Sequence, residues 1–136
     1  MGVLTIIVAV LAIIDGLIHL SLDFAVRGNV FAKPGWGLLQ VLFVLEFLAQ
    51  VVLVGAMFAS ERASLLQQRI VGAALAVVPA VTFIAYLYVT KAKYNPLDLA
   101  LIDKPLEIIL VIVAAYRVFQ LGQSAAAQTI VSPARG

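Results

Sequence analysis

The chain has 136 residues, 64% hydrophobic and 12% charged, with a formal net charge of +2. A water-soluble domain carries about 25% charged residues. Half that figure leaves too little polar surface for a water-facing globule, so the fitting solvent is lipid. The small net charge and the lack of a basic block argue against a nucleic-acid partner. The absence of cysteine removes disulfides, thiolate metal sites and CxxC redox chemistry.

The first apolar segment covers residues 3–22. It lacks a basic leader and no clear cleavage site follows it, so it reads as a retained membrane span and not as a signal peptide. Within it, Asp15, His19 and Asp23 recur every fourth residue. That spacing places them on one helical face. Ionisable groups at such depth are costly and mark a functional site by default.

The second segment covers 37–59 and follows Lys33-Pro-Gly-Trp-Gly37, which breaks the chain and sets Trp36 at an interface. It carries Glu46 close to mid-span and Gln50 one turn on. The third, 69–90, is preceded by Ser64-Leu-Leu-Gln67, the spacing of a capping box that starts a helix. Pro79 lies inside it and should kink it. Gly72, Ala76 and Ala80 form a small-residue stripe suited to close packing. Thr82, Tyr86 and Thr90 form a polar stripe. Asn95-Pro96 has the form of an N-cap followed by proline and predicts a short interfacial helix over 96–102. Pro105 is expected to open the fourth span, 105–121, with Glu107 in its first turn, where an acid favours the helix dipole, and Asp103 just outside. The Ala/Gln/Ser-rich end, 123–136, reads as a flexible tail after a bundle over 1–122.

Each segment can cross roughly 30 Å of hydrocarbon at about 1.5 Å per residue. Apolar residues run continuously instead of alternating, which argues against a β-barrel. The expected fold is therefore an all-α, integral membrane four-helix bundle. Lysine and arginine divide five against four between the two sides, so charge assigns no orientation.

With four spans, the first and third loops share a side, and the intramembrane acids converge on that half of the bundle. Asp15, His19, Asp23, Glu46, Gln50, Tyr86 and Glu107 are the candidate ligand-binding or proton-handling residues. Each also has a structural reading: Asp23 as an interfacial carboxylate, Tyr86 as a belt tyrosine, and Asp15 and Glu46 as cross-helix hydrogen-bonding partners. A single histidine argues against bis-His haem and, without Glu-x-x-His pairs, against a di-iron centre. No metal or other cofactor is expected. No nucleotide fingerprint or nucleophile–base arrangement is visible.

Pro34-Gly-Trp36 followed by Glu46-Phe-Leu-Ala-Gln50, with Asp23 closing the first span and Pro79 within the third, resembles the EXPERA family of four-span membrane proteins. That family includes sterol Δ8–Δ7 isomerases and the sigma-2-type receptor. The histidine usual in its third span is absent here, and the first loop is short. The resemblance implies a pocket for a sterol-like or amine ligand, with Asp23 facing the ligand and Glu46 sharing a proton with it.

Three functional expectations follow. The first is an intramembrane polar pocket that binds a lipophilic or cationic small molecule taken from the bilayer, with a proton-transfer isomerase as its catalytic form. The second is a non-catalytic accessory subunit of a larger respiratory or photosynthetic membrane complex. The third is a small proton-coupled carrier acting as a homodimer or higher oligomer, although no inverted repeat supports it.

Overall fold

The computed structural model describes residues 2–26, 36–90 and 100–131. The described residues form four helices and no strand: α1 (Val3–Val26), α2 (Trp36–Ser60), α3 (Leu65–Thr90) and α4 (Ala100–Val131). All four are long and apolar enough to cross a membrane. The expected all-α, four-span architecture is what the chain adopts. The proposed interfacial helix over 96–102 falls largely outside the described residues, as do the side chains of Asp23, Trp36 and Thr90.

Each helix packs against its neighbours in a ring, α1 on α2, α2 on α3, α3 on α4, and α4 back on α1. Pairings along the helices fix their directions. Asp15 meets Gln50 while His19 meets Glu46, so α1 and α2 run antiparallel. Arg117 meets Thr5 while Asp103 meets His19, so α4 and α1 do too.

Local chemistry explains the helix ends. Ser64 Oγ accepts from the Gln67 backbone N–H at 3.3 Å, and Gln67 Oε1 accepts from the Ser64 N–H at 3.1 Å. This reciprocal capping box starts α3 at Leu65, a turn before the expected span. Helix α3 continues through Pro79 to Thr90. Helix α4 differs more from expectation. It begins by Ala100, five residues before Pro105, and its Ala-rich end carries it on to Val131. Pro105 therefore lies inside the helix, where it removes one backbone donor, instead of opening it.

Two close approaches bring the helices together. A Cβ on Gly16 would stand 2.7 Å from Gln50 Oε1 and 3.1 Å from the Phe47 ring, so a larger residue there would have to displace the Gln50 amide and the Phe47 side chain of α2. A Cβ on Gly72 would stand 2.7 Å from Val118, which shows that the small-residue stripe of α3 faces α4.

The interior is arranged in layers along the bundle axis. A central apolar layer contains Val8, Ala12, Val54, Met57, Leu75, Leu110 and Ala114. Beyond one side of it lie Asp15, His19, Glu46 and Glu107; beyond the other lie Thr5 and Arg117. The outer surface is largely branched aliphatic, including Ile6, Val10, Leu48, Val52, Ile84 and Ile112. A polar interior inside an apolar coat is the distribution that a lipid solvent selects.

Candidate functional site: a buried acidic cluster

Four helices contribute to one polar cluster. Asp15 and His19 come from α1, Glu46 and Gln50 from α2, Thr82 and Tyr86 from α3, and Asp103, Lys104 and Glu107 from α4. Asp15 and His19 are both 0% exposed. The four-residue spacing in α1 and in α2 makes each pair project from a single face.

Gln50 ties the first two helices together. Its Nε2 donates to Asp15 Oδ2 at 2.6 Å and to Glu46 Oε1 at 3.2 Å. A primary amide has two N–H donors, so both are engaged by carboxylates. Asp15 and Glu46 are thus hydrogen-bonded through an amide and not directly to each other.

His19 sits at the centre. Its Nδ1 lies 3.1 Å from the Asp15 backbone carbonyl. A carbonyl can only accept, so Nδ1 carries a proton and Nε2 is the variable position. Three carboxylates surround Nε2: Glu107 Oε1 at 3.2 Å, Asp103 Oδ2 at 3.3 Å and Glu46 Oε2 at 3.5 Å. Lys104 Nζ also approaches it, at 3.4 Å. A neutral imidazole accepts from the lysine at this position, whereas an imidazolium donates to one of the acids. The two states exchange one proton without moving a helix.

The lysine is held as an ion. Its Nζ lies 2.8 Å from Asp103 Oδ2 and 2.7 Å from Glu107 Oε2. Above it are the Tyr86 ring, at 4.8 Å to the centroid, and the Phe43 ring, at 5.9 Å. Phe43 also contacts His19, with ring centroids 4.7 Å apart. Two carboxylates and two aromatic faces make a cage suited to an ammonium.

Asp15, His19, Glu46, Gln50, Tyr86 and Glu107, singled out in the sequence, are therefore gathered into one site. Asp23 continues helix α1 two turns past Asp15, but its side chain lies outside the described residues. Asp103 and Lys104 were not expected here. Asp103 is buried, not outside the bundle, and Lys104 is buried beside it. Both corrections follow from the early start of α4, which also removes Glu107 from the first helical turn, where Asp103 stands instead. The missed signal was spacing: Asp103, Lys104 and Glu107 share a face just as Asp15 and His19 do.

Asp15, His19 and Glu107 each offer a ligand atom, all within 4.8 Å of one another. A donor set for a cation therefore exists, although none was expected. Lys104 already places positive charge 2.7 Å from one of these donors, so a metal ion and the ammonium compete for the same carboxylate.

Comparison with protein-family models, curated proteins and solved structures finds no match.

Beside the cluster, α3 and α4 leave an outward-facing cleft of about 200 Å³. Its wall is apolar (Ala80, Phe83, Ile84, Ile108, Val111, Ile112) apart from Glu107. Glu107 thus lies between the two, with its carboxylate oxygens buried in the cluster and not exposed to the cleft.

Proposed function

We propose that this chain is a small membrane-embedded binding protein that takes a lipophilic molecule bearing a cationic or protonatable group from the bilayer. The cleft between α3 and α4 carries this reading, because its apolar wall lies directly beside Glu107, whose carboxylate belongs to the buried cluster. Apolar walls bind the body of such a ligand, and a buried acid binds its polar end. Charge points the same way. Asp15, Glu46, Asp103 and Glu107 face one lysine and one histidine among the described residues. Buried carboxylates in that excess favour the arrival of a proton or another cation.

Lys104 acts as the resident cation of the cage, and a ligand ammonium would share or displace its contacts. In the catalytic form of this reading, implied by the EXPERA resemblance, Asp23 would face the ligand and Glu46 would share with it the proton that is transferred. A thermal-unfolding titration in mild detergent tests the binding claim, with dodecylamine and dodecanol as matched probes. The amine is expected to raise Tm by several degrees more than the alcohol, and Glu107→Gln is expected to remove the difference. Equal effects of the two probes on the wild-type chain would sink the proposal.

A further inference from the structure

The acidic cluster holds electron-pair donors that its own protons do not satisfy. His19 Nδ1 donates to the Asp15 backbone carbonyl at 3.1 Å, which fixes the ring and leaves a lone pair on Nε2 in the neutral form. A carbonyl bound to the far ring nitrogen is the support that a metal-binding histidine commonly has. Lys104 supplies one cation. Its Nζ approaches Glu107 Oε2 at 2.7 Å, Asp103 Oδ2 at 2.8 Å and His19 Nε2 at 3.4 Å, which engages all three N–H bonds of an ammonium. Glu107 Oε1, Glu46 Oε2 and Asp15 Oδ1 are left buried without a hydrogen-bond partner. Their side chains are at most 2% exposed, so these oxygens cannot turn to water. Two of them stand close to Nε2, Glu107 Oε1 at 3.2 Å and Glu46 Oε2 at 3.5 Å.

Spacing and donor type indicate what would satisfy them. Asp15, His19 and Glu107 each offer one ligand atom, all within 4.8 Å of one another. A tetrahedral ion holds nitrogen and oxygen donors at about 2.0–2.2 Å, and so roughly 3.3–3.6 Å apart. Glu107 Oε1 and His19 Nε2 already stand at that separation, and the third donor needs a movement of about 1 Å. Calcium and magnesium prefer oxygen donors throughout, so an imidazole at the centre favours a transition metal. The chain contains no cysteine, which leaves a thiolate-seeking ion without its ligand.

We propose that the cluster binds a divalent first-row transition-metal ion of the zinc type, with Asp15, His19 Nε2 and Glu107 Oε1 as its protein ligands. Three ligands leave a fourth position for water or for Glu46 Oε2. The metal takes the Nε2 lone pair, while the Lys104 ammonium keeps Asp103 Oδ2 and Glu107 Oε2. Metal and ammonium then share Glu107 through different oxygens and repel each other. The inference rests on the cluster alone and does not depend on the lipophilic ligand proposed for the cleft.

The untagged full chain in mild detergent, loaded with Co2+ and dialysed, provides the test. Elemental analysis counts the metal, and visible absorption reports its coordination. His19 is the chain's single histidine, so imidazole ligation has one source. One cobalt per chain is expected, with the strong absorption of a low-coordinate ion, and added Zn2+ should displace it. His19→Gln should weaken binding about a hundredfold. Lys104→Met removes the repelling charge and should tighten binding about tenfold or more, the opposite of what general damage to the fold would do. A folded wild-type chain that retains no cobalt, or only the pale six-coordinate ion, overturns the proposal whether or not either variant folds. So does unchanged affinity in a folded His19→Gln or Lys104→Met chain. Cobalt retention without any preference for dodecylamine over dodecanol supports this inference while sinking the amine reading, and the reverse result does the opposite.

Discussion

Replacing Lys104 with methionine isolates what the ammonium does. Methionine keeps the length and apolar stem of the side chain but removes contacts of 2.8 Å to Asp103 and 2.7 Å to Glu107. Were Lys104 at the surface, the loss would be about 0–1 kcal/mol. It is only 3% exposed, so the relevant scale is that of a buried pair stripped of one partner, about 3–5 kcal/mol. That is a large share of a total stability of about 5–15 kcal/mol. The loss arises mainly from the carboxylates left behind: Asp103, Glu107, Glu46 and Asp15 would keep His19 as the one ionisable base of the cluster. Neutralising one of them should therefore recover stability. Lys104→Met combined with Glu107→Gln is expected to be more stable than the sum of the single changes by about 1–3 kcal/mol. Reversible unfolding in mixed micelles, followed by circular dichroism as the fraction of denaturing detergent rises, measures all four corners of this cycle. A loss below about 1 kcal/mol for Lys104→Met, or strict additivity with Glu107→Gln, refutes the ionic account of the cluster.

Three further outcomes test other parts of the structure by the same unfolding measurement. Gly16→Ala places a methyl 3.4 Å from the Phe47 backbone and 2.7 Å from Gln50 Oε1, and should cost about 1–3 kcal/mol; a neutral result would mean that α1 and α2 pack less closely than described. Gln50→Leu removes both donors that Asp15 and Glu46 share, and should cost about 1–3 kcal/mol, whereas Gln50→Leu combined with Asp15→Asn should cost less than the sum of the two changes. Ser64→Ala breaks the reciprocal cap of α3 and should cost about 0.5–2 kcal/mol, with Thr in its place retaining most of that stability.

What the sequence disclosed follows from which interactions are local. The spans are local runs of apolar residues, and the α3 cap depends on four consecutive residues, so both can be read from the chain. The convergence of Asp15, His19, Glu46 and Glu107 needed only helix periodicity and span parity. Asp103 and Lys104 escaped because Pro105 looks like a helix start, whereas their burial beside His19 of α1 is a long-range contact with no local signature. In the sequence, Arg117 is one of nine lysines and arginines that divide almost evenly between the two sides. Its burial against Thr5, 112 residues away, has no local signature. Gly16 gave no sign either, because its role depends on the α2 residues opposite it.

The apolar layer between the two polar ends has an electrical consequence. Val8, Ala12, Met57, Leu75, Leu110 and Ala114 leave no polar stepping stone between Glu107 and Arg117 among the described residues. Among the described residues, a charge held in the acidic cluster therefore has no polar route onward to the Arg117 end. Glu107 lies five residues inside Ile102, or about 8 Å into roughly 30 Å of hydrocarbon. A proton or ligand cation arriving at that depth crosses about a quarter of the membrane field, worth about 0.6 kcal/mol per 100 mV. The membrane potential thus biases occupancy by less than threefold per 100 mV.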